Sequence, residues 1–299
     1  MTALKLTRLL LLSAFLPAFL NACATVPYTG RQRLSMVPES SETSMGYQAF
    51  GDIKRQYKIS HDPKMNDMVK RVGWRVAEAV NRPDFKWEFV VFEEDKIDNA
   101  FCLPGGKVGI FTGMFKYVKS DADLATIISH EAGHVLARHA GERMSQGLLA
   151  DLAGLGLSVG LSSVGVNPYA GRAIMQAYGL GATVGVILPY SRKQEYEADH
   201  LGLILMAKAG YDPEKAVEFW KRWTSEQKER SKMPQFLSTH PSDENRIQAM
   251  GRLLPEAKRY YLVQPEDPKT TPPSAATAQV TGFQWTKPES SPSKPVPAK

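Results

Sequence analysis

Two histidines four residues apart, with a glutamate directly after the first, specify a chemistry in five residues: His130-Glu131-Ala132-Gly133-His134. On an α-helix, positions i and i+4 share one face, about one turn apart. Two imidazoles so placed converge on one Zn²⁺ at roughly 2.0–2.1 Å, and the carboxylate between them can take a proton from zinc-bound water. The alternative for a histidine in an apolar helix is a core residue with a local hydrogen bond. That reading suits a lone histidine and fits this pair, with its central acid, far less well.

The surrounding residues predict the helix. Ser120 and Asp123 form an S-x-x-D start, with Asp121 adding negative charge at the positive helix end. Leu124, Ile127 and Ile128 follow at helical spacing, and no proline occurs from Ser120 to Ser145, so one helix of about 25 residues is expected. A catalytic zinc takes three protein ligands and keeps the fourth position for water. A Gly three residues after the second His, which would open a longer metal motif, is absent, since Ala137 stands there. His139 lies nine positions from His130, about 900° around a continuous helix, and so reads as a surface residue or one in a second layer behind the site. The third ligand is sought in Ser191-Arg192-Lys193-Gln194-Glu195-Tyr196-Glu197-Ala198-Asp199, the start of a second helix running to about Ala209. Glu195 and Asp199 are again i and i+4. Glu195 can bind the metal while Asp199 holds the N–H of a ligand histidine. Glu197 points about 200° away from Glu195 and is expected to face solvent.

These motifs together resemble the zinc metallopeptidases that include the CAAX prenyl proteases, the HtpX heat-shock proteases and the mitochondrial OMA-type peptidase. The resemblance is carried by His130-Glu131-x-x-His134, by Ser191-Arg192-x-x-Glu195-x-x-Ala198-Asp199, by Asn99-Ala100-Phe101-Cys102-Leu103-Pro104-Gly105-Gly106, and by Ser238-Thr239-His240-Pro241-Ser242 with Arg246. It spans roughly residues 40–255 and lies nearest the bacterial envelope lipoprotein branch beside OMA. It implies a gluzincin, a zincin-type domain with one Zn²⁺ per chain and endopeptidase activity. His130, His134 and Glu195 would be ligands and Glu131 the general base. His240, in a loop ahead of a helix start at Ser242, either reaches the metal as a fourth, regulatory ligand or packs locally. Arg246 either steadies the transition state or pairs with Asp199.

Lys5 and Arg8 precede an apolar run from Leu9 to Leu20, and Asn21-Ala22-Cys23 follow. A charged start, a short apolar stretch and a small residue describe a secretory signal peptide over residues 1–22. Leu20-x-Ala22-Cys23 resembles a bacterial lipobox, which implies lipid on Cys23, while ordinary cleavage or an uncleaved anchor remain alternatives. Ala24 after the cysteine points to the outer membrane, facing the periplasm. With Cys23 acylated, Cys102 has no partner for an internal disulfide. It is then either a reactive thiol or a small buried hydrophobe. Without the leader, 35 basic side chains face 31 acidic ones, and with no basic cluster this argues against nucleic-acid binding.

The expected fold is α+β and mainly helical, with a small antiparallel sheet beside the His-Glu-x-x-His helix and one catalytic domain over residues 23–263. Met65, Met68, Val69, Val72, Val76 and Val80 form a core stripe on a helix. Trp87–Phe92 and Lys107–Thr112 read as strands, and Asn99 and Gly106 bracket a segment that could bind an extended substrate through main-chain hydrogen bonds. Gly147–Pro189 reads as a helical hairpin over the catalytic helix, either lying on the membrane or gating the cleft, its apolar runs too short or too interrupted to span a membrane. From Gln264 to the end, eight prolines among Lys, Ser, Thr and Ala mark a disordered tail, in which Gly282-Phe283-Gln284-Trp285 is either a docking motif or inert. The function expected is zinc-dependent endopeptidase action on unfolded or misassembled envelope proteins. The alternative is a lipoprotein chaperone or assembly factor for outer-membrane proteins with proteolysis secondary. A structural zinc module fits poorly, because such sites recruit four protein ligands.

Overall fold

The computed structural model describes residues 23–158, 191–228, 236–237, 240 and 244–262. In chain order the elements are strands β1 (Cys23–Thr25) and β2 (Gln32–Leu34), helices α1 (Glu39–Gln56) and α2 (Pro63–Val80), and strands β3 (Glu88–Phe92), β4 (Ala100–Leu103) and β5 (Lys107–Phe111). A 3-10 turn at Thr112–Lys116 leads into α3 (Asp121–Leu136), α4 (His139–Ser158), α5 (Arg192–Lys208), α6 (Glu214–Lys228) and α7 (Glu244–Leu262). The expected leader, most of the hairpin after Gly147, Ser242 and the tail lie outside the described residues. Among the described residues, no helix is long and apolar enough to cross a membrane.

Ser120 starts the metal-motif helix as its sequence predicts: its Oγ accepts the Asp123 N–H at 3.2 Å. The return bond differs, because the Asp123 carboxylate accepts from the Lys119 N–H at 2.8 Å rather than from Ser120. Arg71 clamps Asp121 through two bonds of 2.7 and 2.8 Å. The expected single helix of about 25 residues is two. α3 stops at Leu136, and Arg138 takes a left-handed φ of 54°, a conformation costing a non-glycine residue about 1–2 kcal/mol. The corner is held by Arg138, whose Nε donates to Glu42 at 3.0 Å and whose Nη2 donates to the Val37 carbonyl at 2.8 Å. Gly141 lets that buried carboxylate approach, since a Cβ there would collide with it.

The larger sheet has the order β3-β5-β4 and is mixed, where an antiparallel one was expected. β4 returns on β5 through Pro104-Gly105-Gly106, whose glycines take φ of 82° and 80°, so that pair is antiparallel. β5 then inserts between β4 and β3 and must run parallel to β3, pairing Glu88 with Lys107 and Phe92 with Phe111. β4 packs along α3. Val69, Val72 and Val76 of α2 meet Val91 and Ile110 of the sheet, Leu124 and Ile127 of α3, Leu203 of α5, and Trp220 and Trp223 of α6 in one core. Each such side chain contributes about 1.5–3 kcal/mol by leaving water.

Helices α3 and α5 approach closely because small residues face each other. A Cβ on Gly133 would lie 2.9 Å from the Ala198 carbonyl oxygen, and one on Gly202 would lie 3.2 Å from the His130 backbone. Neither obstacle is a side chain that can swing aside. Gly202→Val is therefore expected to destabilise the fold by about 1–3 kcal/mol and to weaken zinc retention, despite its better helix propensity. Unaltered zinc content and melting temperature would contradict this account.

Candidate metal centre

His130 and His134 leave α3 one turn apart, and Glu195 meets them from the first turn of α5. Ser191 fixes that turn with a reciprocal cap: its Oγ accepts the Gln194 N–H, and Gln194 Oε1 accepts the Ser191 N–H, both at 3.3 Å. His130 Nε2 and His134 Nε2 are 3.2 Å apart, and Glu195 lies 3.3 Å from His134 Nε2 and 3.5 Å from His130 Nε2. His240 Nδ1 completes the group, 3.3 Å from His130 Nε2 and 3.0 Å from Glu195 Oε1. Donors at zinc-ligand distance around a tetrahedron are separated by about 3.3 Å, so this buried set has the size the ion requires. The donor types agree, because imidazole and carboxylate are zinc ligands.

Behind these rings, Asp199 Oδ1 stands 3.0 Å from His130 Nδ1. Arg246, from the first turn of α7, grips Asp199 with Nε and Nη2 at 2.8 Å each and places Nη1 2.8 Å from Glu195 Oε2. It also donates to the His240 carbonyl at 3.3 Å and lies 5.1 Å from the Trp220 ring centre. Of its two expected roles, the structure shows the pairing with Asp199, with the guanidinium buried and turned onto carboxylates. Burial opposes charge on His130, yet hydrogen bonds accepted by Asp199 and Glu195 raise its pKa to about 9. Burial likewise raises Glu195, but His240, Arg246 and the imidazoles of His130 and His134 hold its carboxyl well below the usual range. Burial drives His134 well down. The pocket thus favours an anionic Glu195 and positive charge between the rings, which a divalent cation would supply.

Glu131 is buried beside this group. Its Oε1 accepts no hydrogen bond, and His240 Nε2 stands 3.4 Å away. Burial pushes its carboxyl above the ordinary range. Cys102 is a buried thiol on β4, driven up by burial and by nearby Glu131, so it behaves as the small hydrophobe rather than as a reactive group. Cys23 is exposed at the start of β1.

Two sequence expectations about the substrate strand change. The Asn99 carbonyl is used by the Phe111 N–H at 3.0 Å, and the Gly106 carbonyl by the Glu88 N–H at 3.0 Å. Gly106 sits in the β4–β5 turn under Trp87. Asn99 keeps a place at the edge through its side chain, whose Oδ1 accepts the Ala100 N–H at 3.0 Å.

Two further residues turn inward. His139 is fully buried, because the break at Arg138 ends the turn count that put it on the far face. Its Nδ1 is 2.8 Å from His134 Nδ1, and its Nε2 is 2.9 Å from Glu197 Oε2. Glu197, expected in solvent, is buried under Thr29 and Arg31, which donate to it at 2.6 and 2.7 Å. Burial opposes its ionisation, and the bonds from His139, Thr29 and Arg31 outweigh that and hold it at about 2.

A sequence profile of peptidase family M48 matches residues 63–253. The chain is 34% identical over 242 residues to the mitochondrial metalloendopeptidase OMA1 of Schizosaccharomyces pombe, covering 78% of this chain and 67% of that protein. It is 37% identical to the OMA1 of Arabidopsis thaliana over 75% of this chain and 44% of that one. It is 27% identical to the beta-barrel assembly-enhancing protease of Escherichia coli over 77% of this chain and 47% of that one, so the chain spans about half the length of the latter two. The matched segment holds both motif-bearing helices and the four converging side chains, and the chain belongs to peptidase family M48 as a zinc metalloendopeptidase.

Proposed function

We propose that His130, His134 and Glu195 hold the zinc, that Glu131 is the general base, and that the enzyme degrades misfolded or mislocalised proteins of a bacterial cell envelope. A bound zinc supplies a Lewis acid that polarises the scissile carbonyl and brings the pKa of water towards about 7. Glu131 takes the proton of the attacking water and delivers it to the leaving amine. The observation that carries this is the buried Glu131 carboxylate at the edge of the converging group, with an Oε1 that accepts no hydrogen bond and faces His240 Nε2 at 3.4 Å. Asp199 keeps the His130 proton on Nδ1, leaving Nε2 for the metal.

Substrate lies along β4. Its register with β5 turns the main-chain groups of Phe101 and Leu103 inward, so the Ala100 carbonyl and the Cys102 main-chain groups point to the other edge, where an extended peptide can add as a strand once the Ala100 N–H, held by Asn99 Oδ1, is left aside. Main-chain recognition tolerates many sequences, which suits unfolded clients. The leader over residues 1–22 and Cys23 motivate secretion and lipid anchoring, with the outer membrane as destination and unfolded envelope proteins as substrates. The name of the Escherichia coli relative favours that compartment and also supports the second reading, an assembly factor whose proteolysis is secondary.

His240 acts as a gate. Its Nδ1 lies beside Glu195 Oε1 and His130 Nε2, where it would take a further place on a bound zinc, while its Nε2 faces Glu131, so attacking water and base would be blocked together. Withdrawing the His240 side chain would release both.

Three outcomes are expected. Glu131→Gln should retain zinc while casein cleavage falls by about 10²-fold or more, and retained turnover refutes the assigned base. His240→Ala should raise basal proteolysis severalfold, whereas unchanged or lower activity removes the gate. Peptides with proline at alternate positions should resist cleavage relative to uninterrupted ones, and equal rates would rule out strand addition.

A further inference from the structure

The metal pocket is bounded on one side by the β1–β2 hairpin, which neither the motifs nor the family match includes. Val26 of its turn is 1% exposed and packs with Ala137 and Leu201, at the end of α3 and on α5. Gly30 has φ 67° and its N–H donates to the Val26 carbonyl at 3.0 Å, which brings Arg31 over the same helices. The Arg31 guanidinium then bridges two carboxylates. Nε donates to Glu197 Oε2 at 2.7 Å, while Nη1 and Nη2 donate to Glu142 at 2.6 and 2.7 Å. Glu142 also accepts from Gln194, the residue that caps α5 next to Glu195.

We infer that Arg31 is a positioning residue of the metal centre, acting through Glu197 and His139 on the ligand His134. The chain of donors fixes the proton positions. Glu197 is held as an acceptor by Arg31 and Thr29, so His139 presents N–H to it from Nε2. The His139 Nδ1 lone pair then accepts the N–H of His134 Nδ1, and the His134 Nε2 lone pair is left for the zinc. His130 receives the same service directly from Asp199, which Arg246 clamps. The two ligand imidazoles therefore have matching supports, each a guanidinium-held carboxylate, with one extra imidazole spliced into the second. The inference rests on His134 being a ligand.

The test uses the full chain loaded with zinc. Zinc affinity is measured by chelator competition, and the ligand field is read from the visible absorption of the Co²⁺-substituted protein. Arg31→Ala is expected to weaken zinc binding about 10–100-fold and to alter the Co²⁺ spectrum. Arg31→Lys should rescue only in part, because one ammonium cannot span both carboxylates. Glu197→Gln, which keeps the size and loses the charge, should move both readouts in the same direction and supplies the answer if Arg31→Ala does not fold. The double variant should be no weaker than the worse single one, since both act on one route. A lower melting temperature with affinity within twofold and an unchanged Co²⁺ spectrum overturns the inference, as does full additivity. Wild-type protein that binds no zinc would overturn the ligand set itself, a result distinct from either.

Discussion

Two carboxylates, Glu195 and Asp199, stand almost dry one helical turn apart on α5, and the rest of the site answers that constraint. A buried carboxylate costs several kcal/mol unless opposite charge and hydrogen bonds surround it. One guanidinium, Arg246, touches both, and the paired imidazoles touch them from the other helix. Removing Arg246 would strip both buried carboxylates of their guanidinium and leave the imidazoles to balance them. That explains why a long charged side chain is only 2% exposed and backed by an indole face. The same cluster prefers a cation between its rings. Metal affinity and fold stability are thus coupled here through one charge balance.

That balance requires the two helices to meet closely, and the sequence meets the need with absent side chains. Gly133 inside the five-residue motif and Gly202 on α5 set the spacing at which His130, His134 and Glu195 reach one point from two helices. Both positions cost helix propensity, about 1 kcal/mol each relative to alanine, and the crossing is what that loss secures. The corner at Arg138 serves the same end: it turns α4 so that His139 comes round behind His134 instead of pointing away.

Periodicity and capping were enough to read the first of these features. Ser120 and Asp123 announced the helix start, the i and i+4 pairs put His130 with His134 and Glu195 with Asp199, and β3 and β5 showed as apolar runs. The helix break was not legible, because its residue is an arginine with no propensity to stop a helix, held by Glu42 from nearly a hundred residues away. The break overturns the opposite-face placement of His139 and leaves its second-layer alternative, while Glu197 differs from its solvent placement on an unbroken helix. Turn counting assumes a continuous helix with one wet face, and the hairpin carrying Thr29 and Arg31 dries the face of α5 that counting assigned to solvent. The parallel β3–β5 pairing depends on which edge β5 joins, a tertiary choice that local alternation does not encode.

His240 shows how one ring can report on two groups at once. An imidazole has two nitrogens about 2.2 Å apart on a rigid frame, so a ring whose Nδ1 is at the ligand vertex has little freedom in where Nε2 falls. Here it falls towards Glu131. Phe236 stacks on the ring at 4.5 Å, the Phe236 carbonyl accepts the His240 N–H at 2.8 Å, and Arg246 holds the His240 carbonyl. The last contact joins His240 to the same guanidinium that balances Glu195 and Asp199. On the proposed mechanism, the ring that would leave the metal's side is also the ring that faces the base, so withdrawing the His240 side chain would uncover Glu131 in the same movement.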